Sequence, residues 1–233
     1  MNFLYLIPAR GGSKGIPRKN IKLLGDKPLL HYSIDLARQA APSDAHICVS
    51  TDDAEIARCA EDYGLAVPFI RPPYLATDTA SSYDVLLHAL SHYDKQGKHF
   101  DGLILLQPTS PFRDPEQLRA AQQKFNLEID MLVSVHETKA NPYYVLFEEN
   151  EHGYLKPSKK GHFTRRQDCP KVYEYNGALY LINTNSLRKH HSLAQFTKTV
   201  KHIIPAKYAI DLDTPLDWLY AEFLLQNLPP PFL

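Results

Sequence analysis

Short apolar runs without polar alternation recur along the chain, and most are followed by a segment with helical spacing. Residues 3–7 (FLYLI), 47–50 (ICVS), 102–106 (GLILL) and 131–135 (MLVSV) read as strands buried on both faces, since a strand with one wet face would alternate. Residues 67–70 (VPFI) are a further short run of the same kind. Residues 29–40 carry Leu30, Ile34 and Ala37 at helical spacing, with Pro42 just beyond. Asp52 or Asp53 is placed to cap a helix reaching about Tyr63, where Gly64 stops it. Residues 79–93 read as another helix, and residues 115–125 as one with Asp114 at the cap and Pro115 at its first position. Strand and helix in alternation predict an α/β fold with a mostly parallel sheet flanked by helices.

From Asn141 the texture changes. Residues 143–149, a polar turn at 151–153 and a Lys/Arg-rich stretch to Lys171 suggest a hairpin-like insertion, about residues 141–172, suited to covering a site or meeting a second subunit. Residues 178–182 (ALYLI) return to core-strand composition, and residues 214–227 read as a closing helix with Pro215 in its first turn. Residues 228–233 (LPPPFL) read as a proline-stiffened tail. With 233 residues, 44% of them hydrophobic, the chain can bury one sizeable core, so a single domain with that insertion is expected.

Charge narrows the choice of partners. Lys plus Arg equal Asp plus Glu at 26 each, so the surface as a whole is not expected to attract nucleic acid or an acidic membrane. Any anion site must come from local clustering. Cys48, Cys59 and Cys169 have neither CxxC nor zinc-type spacing and read as reduced thiols. Pro8 and Arg10 cut the opening apolar run short of a signal-peptide core, and no stretch approaches a bilayer span. These features predict a cytoplasmic protein without a membrane or nucleic-acid partner.

Three clusters stand out. Residues 10–20 (RGGSKGIPRKN) follow the first buried strand; their glycines let backbone N–H groups approach a polyphosphate, and Arg10, Lys14, Arg18, Lys19 and Lys22 precede any acid up to Asp26. Neither GxxxxGK[ST] nor GxGxxG is present, and a solvated basic turn is the plain alternative. Asp211-Leu212-Asp213 sets two carboxylates on one side of an extended segment, a spacing that suits Mg²⁺ shared with phosphate oxygens. Asp213 before Thr214-Pro215 is equally an ordinary helix cap. Residues 106–113 (LQPTSPFR) form a rigid turn after a strand, where Gln107, Thr109, Ser110 and Arg113 either serve a polar, anionic ligand or brace the turn. No HExxH or GxSxG occurs, and Trp218 reads as core.

Taken in order, IPARGGSKGIPRKN, VSTDD, RPPYLATDTASS, LLQPTSPFR, RRQDCPKVYEYNGALYLIN and IDLDTPLDW resemble the CMP-sialic acid synthetases (acylneuraminate cytidylyltransferases) across about residues 3–218. The resemblance implies a Rossmann-like nucleotidyltransferase fold. It also implies a reaction in which the anomeric hydroxyl of a nine-carbon 2-keto sugar acid, a nonulosonic acid, attacks the α-phosphate of CTP. The products are the CMP-sugar and pyrophosphate, with Mg²⁺ as cofactor. In-line displacement at phosphorus relies on positioning and charge neutralisation. By motif, Arg10, Gly11, Gly12, Ser13, Lys14 and Lys19 would hold the triphosphate, and Asn20, Arg71 and Ser82 the cytidine. Gln107, Thr109 and Ser110 would meet the sugar acid, with Arg166, Glu174 and Asn176 on its far side. Asp211 and Asp213 would bind the metal; Arg10, Lys14, Lys19 and Asp211 are the catalytic candidates, Asp211 also as acceptor of the hydroxyl proton.

The insertion resembles the family's dimerisation arm, which reaches over the neighbouring subunit's site, and so implies a homodimer. Where synthetases for N-acetylneuraminate often read Arg-Pro-Asn-Gly, this chain reads Glu174-Tyr175-Asn176-Gly177. In Asn141-Pro142-Tyr143-Tyr144 an aromatic replaces a lysine of some such enzymes. An acid in place of a base points to a sugar with other N-substituents, such as legionaminic or pseudaminic acid. The rivals are the cytidylyltransferase for the eight-carbon sugar acid of lipopolysaccharide, whose loop runs on to Gly-Lys-Pro, a sugar-1-phosphate nucleotidylyltransferase, and a non-catalytic nucleotide-binding module.

Overall fold

Strand β1 (Phe3–Pro8) is buried on both faces and shows why the rest is layered. Leu4 and Leu6 enter one apolar cluster, while Phe3, Tyr5 and Ile7 enter another across the sheet. The structure, a computed structural model, describes residues 1–205 and 208–227. After β1 come a short ribbon, β2 (Leu23–Leu24) and β3 (Lys27–Pro28), then α1 (Leu29–Ala40), β4 (Ile47–Ser50), α2 (Ala54–Asp62), α3 (Ser82–Asp94) and β5 (Gly102–Leu105). There follow α4 (Pro115–Lys124), β6 (Met131–Glu137), the hairpin β7 (Phe147–Glu149) and β8 (Leu155–Pro157), β9 (Tyr173–Asn183), α5 (Thr184–Lys189), β10 (Thr199–Ile203) and α6 (Pro215–Asn227).

Six strands form the main sheet in the order β10-β6-β9-β5-β1-β4. All run parallel except β9, which pairs antiparallel with both β5 and β6. Helices α1, α2, α4 and α6 supply apolar side chains to the cluster on one face, and α3 and α5 to the other. The continuous apolar runs are thus explained by helices on both sides. Trp218 lies in the core beneath α6.

Some boundaries differ from the expectation. Residues 67–70 make no strand: Pro68 lacks a donor and only Ile70 bridges, to Thr51. Helix α3 starts three residues later than residue 79, because the Ser81 side chain accepts from the Asp84 N–H and fixes the start. Residues 178–182 are the inner half of the eleven-residue β9. The insertion does contain a hairpin, β7–β8, and it is exposed throughout. The expected tail at residues 228–233 lies outside the described residues. Among the described residues no helix is long and apolar enough to cross a membrane, and the three cysteines are free thiols.

In such a sheet the loops after parallel strands gather at one edge, the usual place for ligands. Here these are the loop after β1, residues 51–53 after β4 and the turn after β5. The antiparallel β9 begins at the same edge, and its pairing with β6 shifts register between Val133 and Val135, opposite Asn176 and Gly177.

Candidate active site

The basic loop is fastened before it can bind anything. Asn20 is buried and donates its side-chain amide to the Arg10 carbonyl at 2.9 Å. Gly11 N–H donates to Asp52 Oδ1 at 3.1 Å, so this amide, expected for phosphate, is already taken by a carboxylate. Arg18 adopts a left-handed backbone (φ 55°) and pairs with Asp53 and Glu55, each at 2.5 Å; its pKa is raised, chiefly by the Asp53 hydrogen bond. Lys22 sits over the Trp218 ring at 4.3 Å. Of the five loop cations, Arg10, Lys14 and Lys19 remain for the cleft.

The side chain of Lys19, nearly buried, crosses to the far end of the chain. Its Nζ donates to the Leu212 carbonyl at 2.5 Å and lies 3.2 Å from Asp213 Oδ1. Gly15 permits this approach, because a Cβ there would run into the Asp213 backbone carbonyl. Leu212 is buried and its N–H donates to the Thr109 carbonyl at 2.9 Å. The acidic segment is therefore held by both the basic loop and the turn after β5.

Asp213 is not the cap of α6. Thr214 and Asp217 cap that helix reciprocally: Thr214 N–H donates to Asp217 Oδ2 at 2.7 Å, and Asp217 N–H to Thr214 Oγ1 at 3.3 Å. This leaves the Asp213 carboxylate, 71% exposed, to face Lys19 and the cleft. Asp211 is exposed where it lines the cleft. Desolvation pushes its pKa up, a hydrogen bond from Thr109 opposes this, and the Asp213 charge adds to the rise. Among the described residues no three His, Cys, Asp or Glu side chains gather as a metal cage. Two carboxylates beside an open cleft fit Mg²⁺, which keeps waters and takes substrate phosphate oxygens.

Together these groups line a cleft of about 460 Å³. Of the expected site residues, Arg10, Ser13, Lys14, Lys19 and Asn20 enter it from the first loop, Arg71 and Ser82 from one wall, Gln107 and Thr109 from the turn, and Asp211 and Asp213 from the closing segment. Arg71 is buried, donating to the Ser50 carbonyl at 2.6 Å and the Leu75 carbonyl at 3.3 Å, while its Nε has no partner. Burial lowers its pKa, and the Asp52 charge works against that.

Behind the turn, Ser110 Oγ is buried without a partner. Gly177, at φ +74°, comes so close that a Cβ would stand 3.4 Å from Gln107 Oε1 and from Ser110 Oγ, and 4.0 Å from Asp211 Oδ2. Asn176 accepts from Ser134 Oγ at 2.6 Å, and its Nδ2 is a buried donor without a partner. Buried polar atoms are nearly always paired, so orphans on Arg71, Ser110 and Asn176 mark this edge of the sheet as built for a polar ligand.

Other candidate residues stand outside this cleft within the single chain. Arg113 braces the turn, the second of the two roles its sequence context offers: wholly enclosed, it donates to the carbonyls of Gln107 and Ala178 and to Ser33 Oγ, because a buried guanidinium must spend its donors locally. Burial lowers its pKa, with Asp211 opposing. Gly11 and Gly12 do not line the cleft; Gly11 packs on Asp53, and the space around Gly12 is open. Arg166 sits in a 3-10 turn of the insertion and lines a separate groove with Glu137, Lys139 and Lys171. Glu174 pairs with His136, Nε2 to Oε2 at 3.4 Å, about 10 Å along β9 from Gly177.

One cleft residue has no signal in the sequence. Asp78 lies between threonines in residues 72–81, yet it pairs with Arg10 Nη1 at 3.0 Å and Lys14 Nζ at 2.5 Å.

The cytidylyltransferase family model matches residues 4–227. A CMP-N,N'-diacetyllegionaminic acid synthase of Legionella pneumophila is 33% identical over 97% of this chain and 97% of its own. Its namesake from Campylobacter jejuni is 36% identical, again over 97% of both. The solved structure of CMP:2-keto-3-deoxy-manno-octonic acid synthetase complexed with CTP shares the fold at a TM-score of 0.70 and 19% identity, covering 97% of this chain and 99% of that one. The matched span takes in the basic loop, the turn after β5 and the acidic pair, and the chain belongs to the cytidylyltransferase family.

Proposed function

We propose that the protein is a CMP-nonulosonate synthetase, transferring CMP from CTP to the anomeric hydroxyl of a nine-carbon 2-keto sugar acid and releasing pyrophosphate. One observation carries this reading: Arg10, Lys14 and Lys19 converge with Asp211 and Asp213 in a single cleft. A polyphosphate needs several cations, and a displacement at phosphorus needs its developing charge neutralised. Arg10 and Lys14 hold the outer phosphates, while Lys19, fixed by Leu212 and Asp213, stands where the loop meets the acidic segment. Asp211 and Asp213 would hold Mg²⁺, which would supply further charge neutralisation at the phosphates.

The nucleoside lies against Arg71 and Ser82, beside the apolar side chains of Leu75, Val85 and Leu105. The sugar acid takes the opposite wall, formed by Gln107 and Thr109, with Ser110 and Gly177 directly behind it. Asp211, the raised carboxylate next to that wall, accepts the attacking hydroxyl's proton at Oδ2. The relatives named as diacetyllegionaminic acid synthases support a sugar of that type. Glu174, more than half exposed beside His136, is kept as a candidate reader of the sugar's N-substituents.

The working form we propose is a cytoplasmic homodimer. Support comes from free thiols and from the hairpin region, where Leu146, Phe147, Tyr154 and Leu155 are each at least 42% exposed. The test of the catalytic reading is the double change Asp211→Asn and Asp213→Asn. It is expected to abolish pyrophosphate release from CTP and a panel of nonulosonic acids with Mg²⁺, while calorimetry still detects CTP bound to the loop. Unchanged turnover would remove the acidic pair from the mechanism.

A further inference from the structure

Residues 77–80 hang between two firm anchors. On one side, Arg71 N–H donates to the Thr51 carbonyl at 2.7 Å, and the Arg71 guanidinium holds Leu75. On the other, Ser81 caps α3. Among the described residues, the polar contacts of 77–80 to the rest of the protein run to Arg10 and Lys14. Arg10 Nη1 donates to the Thr77 carbonyl at 3.2 Å and pairs with Asp78 at 3.0 Å, and Lys14 pairs with Asp78 at 2.5 Å. The Asp78 side chain is 47% exposed and that of Lys14 is 78% exposed.

The cations that Asp78 occupies are those assigned above to the outer phosphates. A carboxylate and a polyphosphate cannot share two cations at contact distance without strong repulsion between them. Ion pairs this exposed are individually weak, so exchanging one anion for another has a low cost. Asp78 is also charged throughout the neutral range, because the Lys14 hydrogen bond, followed by the charges of Lys14 and Arg10, holds its carboxyl below the usual value.

We infer that Asp78 is a displaceable counter-anion: it holds Arg10 and Lys14 in the place of phosphate, yields them when CTP enters, and takes them back as pyrophosphate leaves. The inference rests on the reading of this cleft as the CTP site. No bond is made or broken in the exchange; one anion replaces another on the same two cations. Its consequence is a nucleotide affinity set below what the cations alone would give, with easier departure of a highly charged product. As Asp78 lets go, residues 77–80 keep only the Arg10 hydrogen bond to the Thr77 carbonyl.

The test measures binding directly, by calorimetry with CTP and with inorganic pyrophosphate, on the full chain and three variants. Asp78→Asn is expected to bind both about fivefold more tightly in low salt, as removal of two weak competing pairs implies. That advantage shrinks as salt rises toward about 0.5 M, where exposed charges are screened. Asp78→Glu keeps the charge and is expected to stay near the parent. Tightening is a readout that a merely structural role does not produce. Equal or weaker binding of pyrophosphate by Asp78→Asn, with the fold intact by thermal melting, overturns the inference alone. Arg10→Gln separates the two readings: if it binds CTP as well as the parent, the phosphate assignment itself falls, and the role of Asp78 falls with it.

Discussion

Replacing Gly15 with alanine tests whether the basic loop and the acidic segment work as one unit. A Cβ at this position overlaps the Asp213 carbonyl oxygen and comes 3.3 Å from the Asp213 carbonyl carbon. The obstacle is backbone, so no flexible side chain can swing aside. The two segments are also clamped nearby by Lys19 on the Leu212 carbonyl at 2.5 Å, which keeps them from simply parting. Relief requires the acidic segment to move by about 1 Å, and a misplacement of that size in a reacting constellation costs about 100-fold in rate. That is about 2.7 kcal/mol of barrier. The fold suffers less, about 1 kcal/mol, because the overlap lies at the rim of the cleft and not in the packed core. Gly12, with nothing within 4 Å of an added Cβ, is the comparison: its alanine variant is expected to lose no more than a few-fold. The assay is pyrophosphate release at limiting CTP, with melting temperatures taken in parallel. A Gly15→Ala rate within threefold of the parent would refute the argument that the Gly15–Asp213 approach positions the carboxylates.

Two further predictions concern the scaffold. Arg113→Met keeps the bulk but strips the donors from the carbonyls of Gln107 and Ala178, and should cost about 3 kcal/mol or more in urea unfolding; a loss below 1 kcal/mol would show the brace to be idle. His202 has its pKa lowered from 6.5, first by burial and then by the Lys124 charge. Because the unfolded chain takes up that proton near pH 6.5 and the folded chain resists it, stability falls as pH drops below about 6.5. Replacing His202 with Gln should flatten the decline in melting temperature between about pH 7.5 and 5, and an unaltered slope would contradict this linkage.

What could be read in advance followed the strength of local signals. Strands β1, β4, β5 and β6 were legible because helices cover both faces and leave almost no polar positions in them. Helix α4 was legible to within a residue, since Asp114 and Pro115 are unambiguous start signals. Strand β10 was hidden: in TVKHI only His202 is buried, so no apolar run announces an edge strand held by its parallel pairing with β6. The outer half of β9 was hidden for a related reason, because Glu174 and Tyr175 are exposed there.

Residues 67–70 misled in the opposite sense, being apolar without a ladder to join. At the cleft, the cations and the acid pair were visible as clusters, but their employment was not. Arg113 and Arg10 both look like free donors in sequence; only folding shows that one is consumed inside the turn and the other meets Asp78, which lies 68 residues further on. Contacts of that range have no local signature, and so Asp78 could not be found by spacing.

The clamp between Lys19 and Leu212 joins residues 193 apart, almost the length of the chain. During synthesis, β1 can pair with β4 and β5 once Leu105 has left the ribosome, and the basic loop then exists without its acidic counterpart. The cleft closes only when the segment around Asp211 has emerged and docked on Thr109 and Lys19. A nascent or prematurely ended chain can therefore carry an anion-attracting loop but no means of turnover. Competence arrives late, as a property of the completed polypeptide rather than of its phosphate loop.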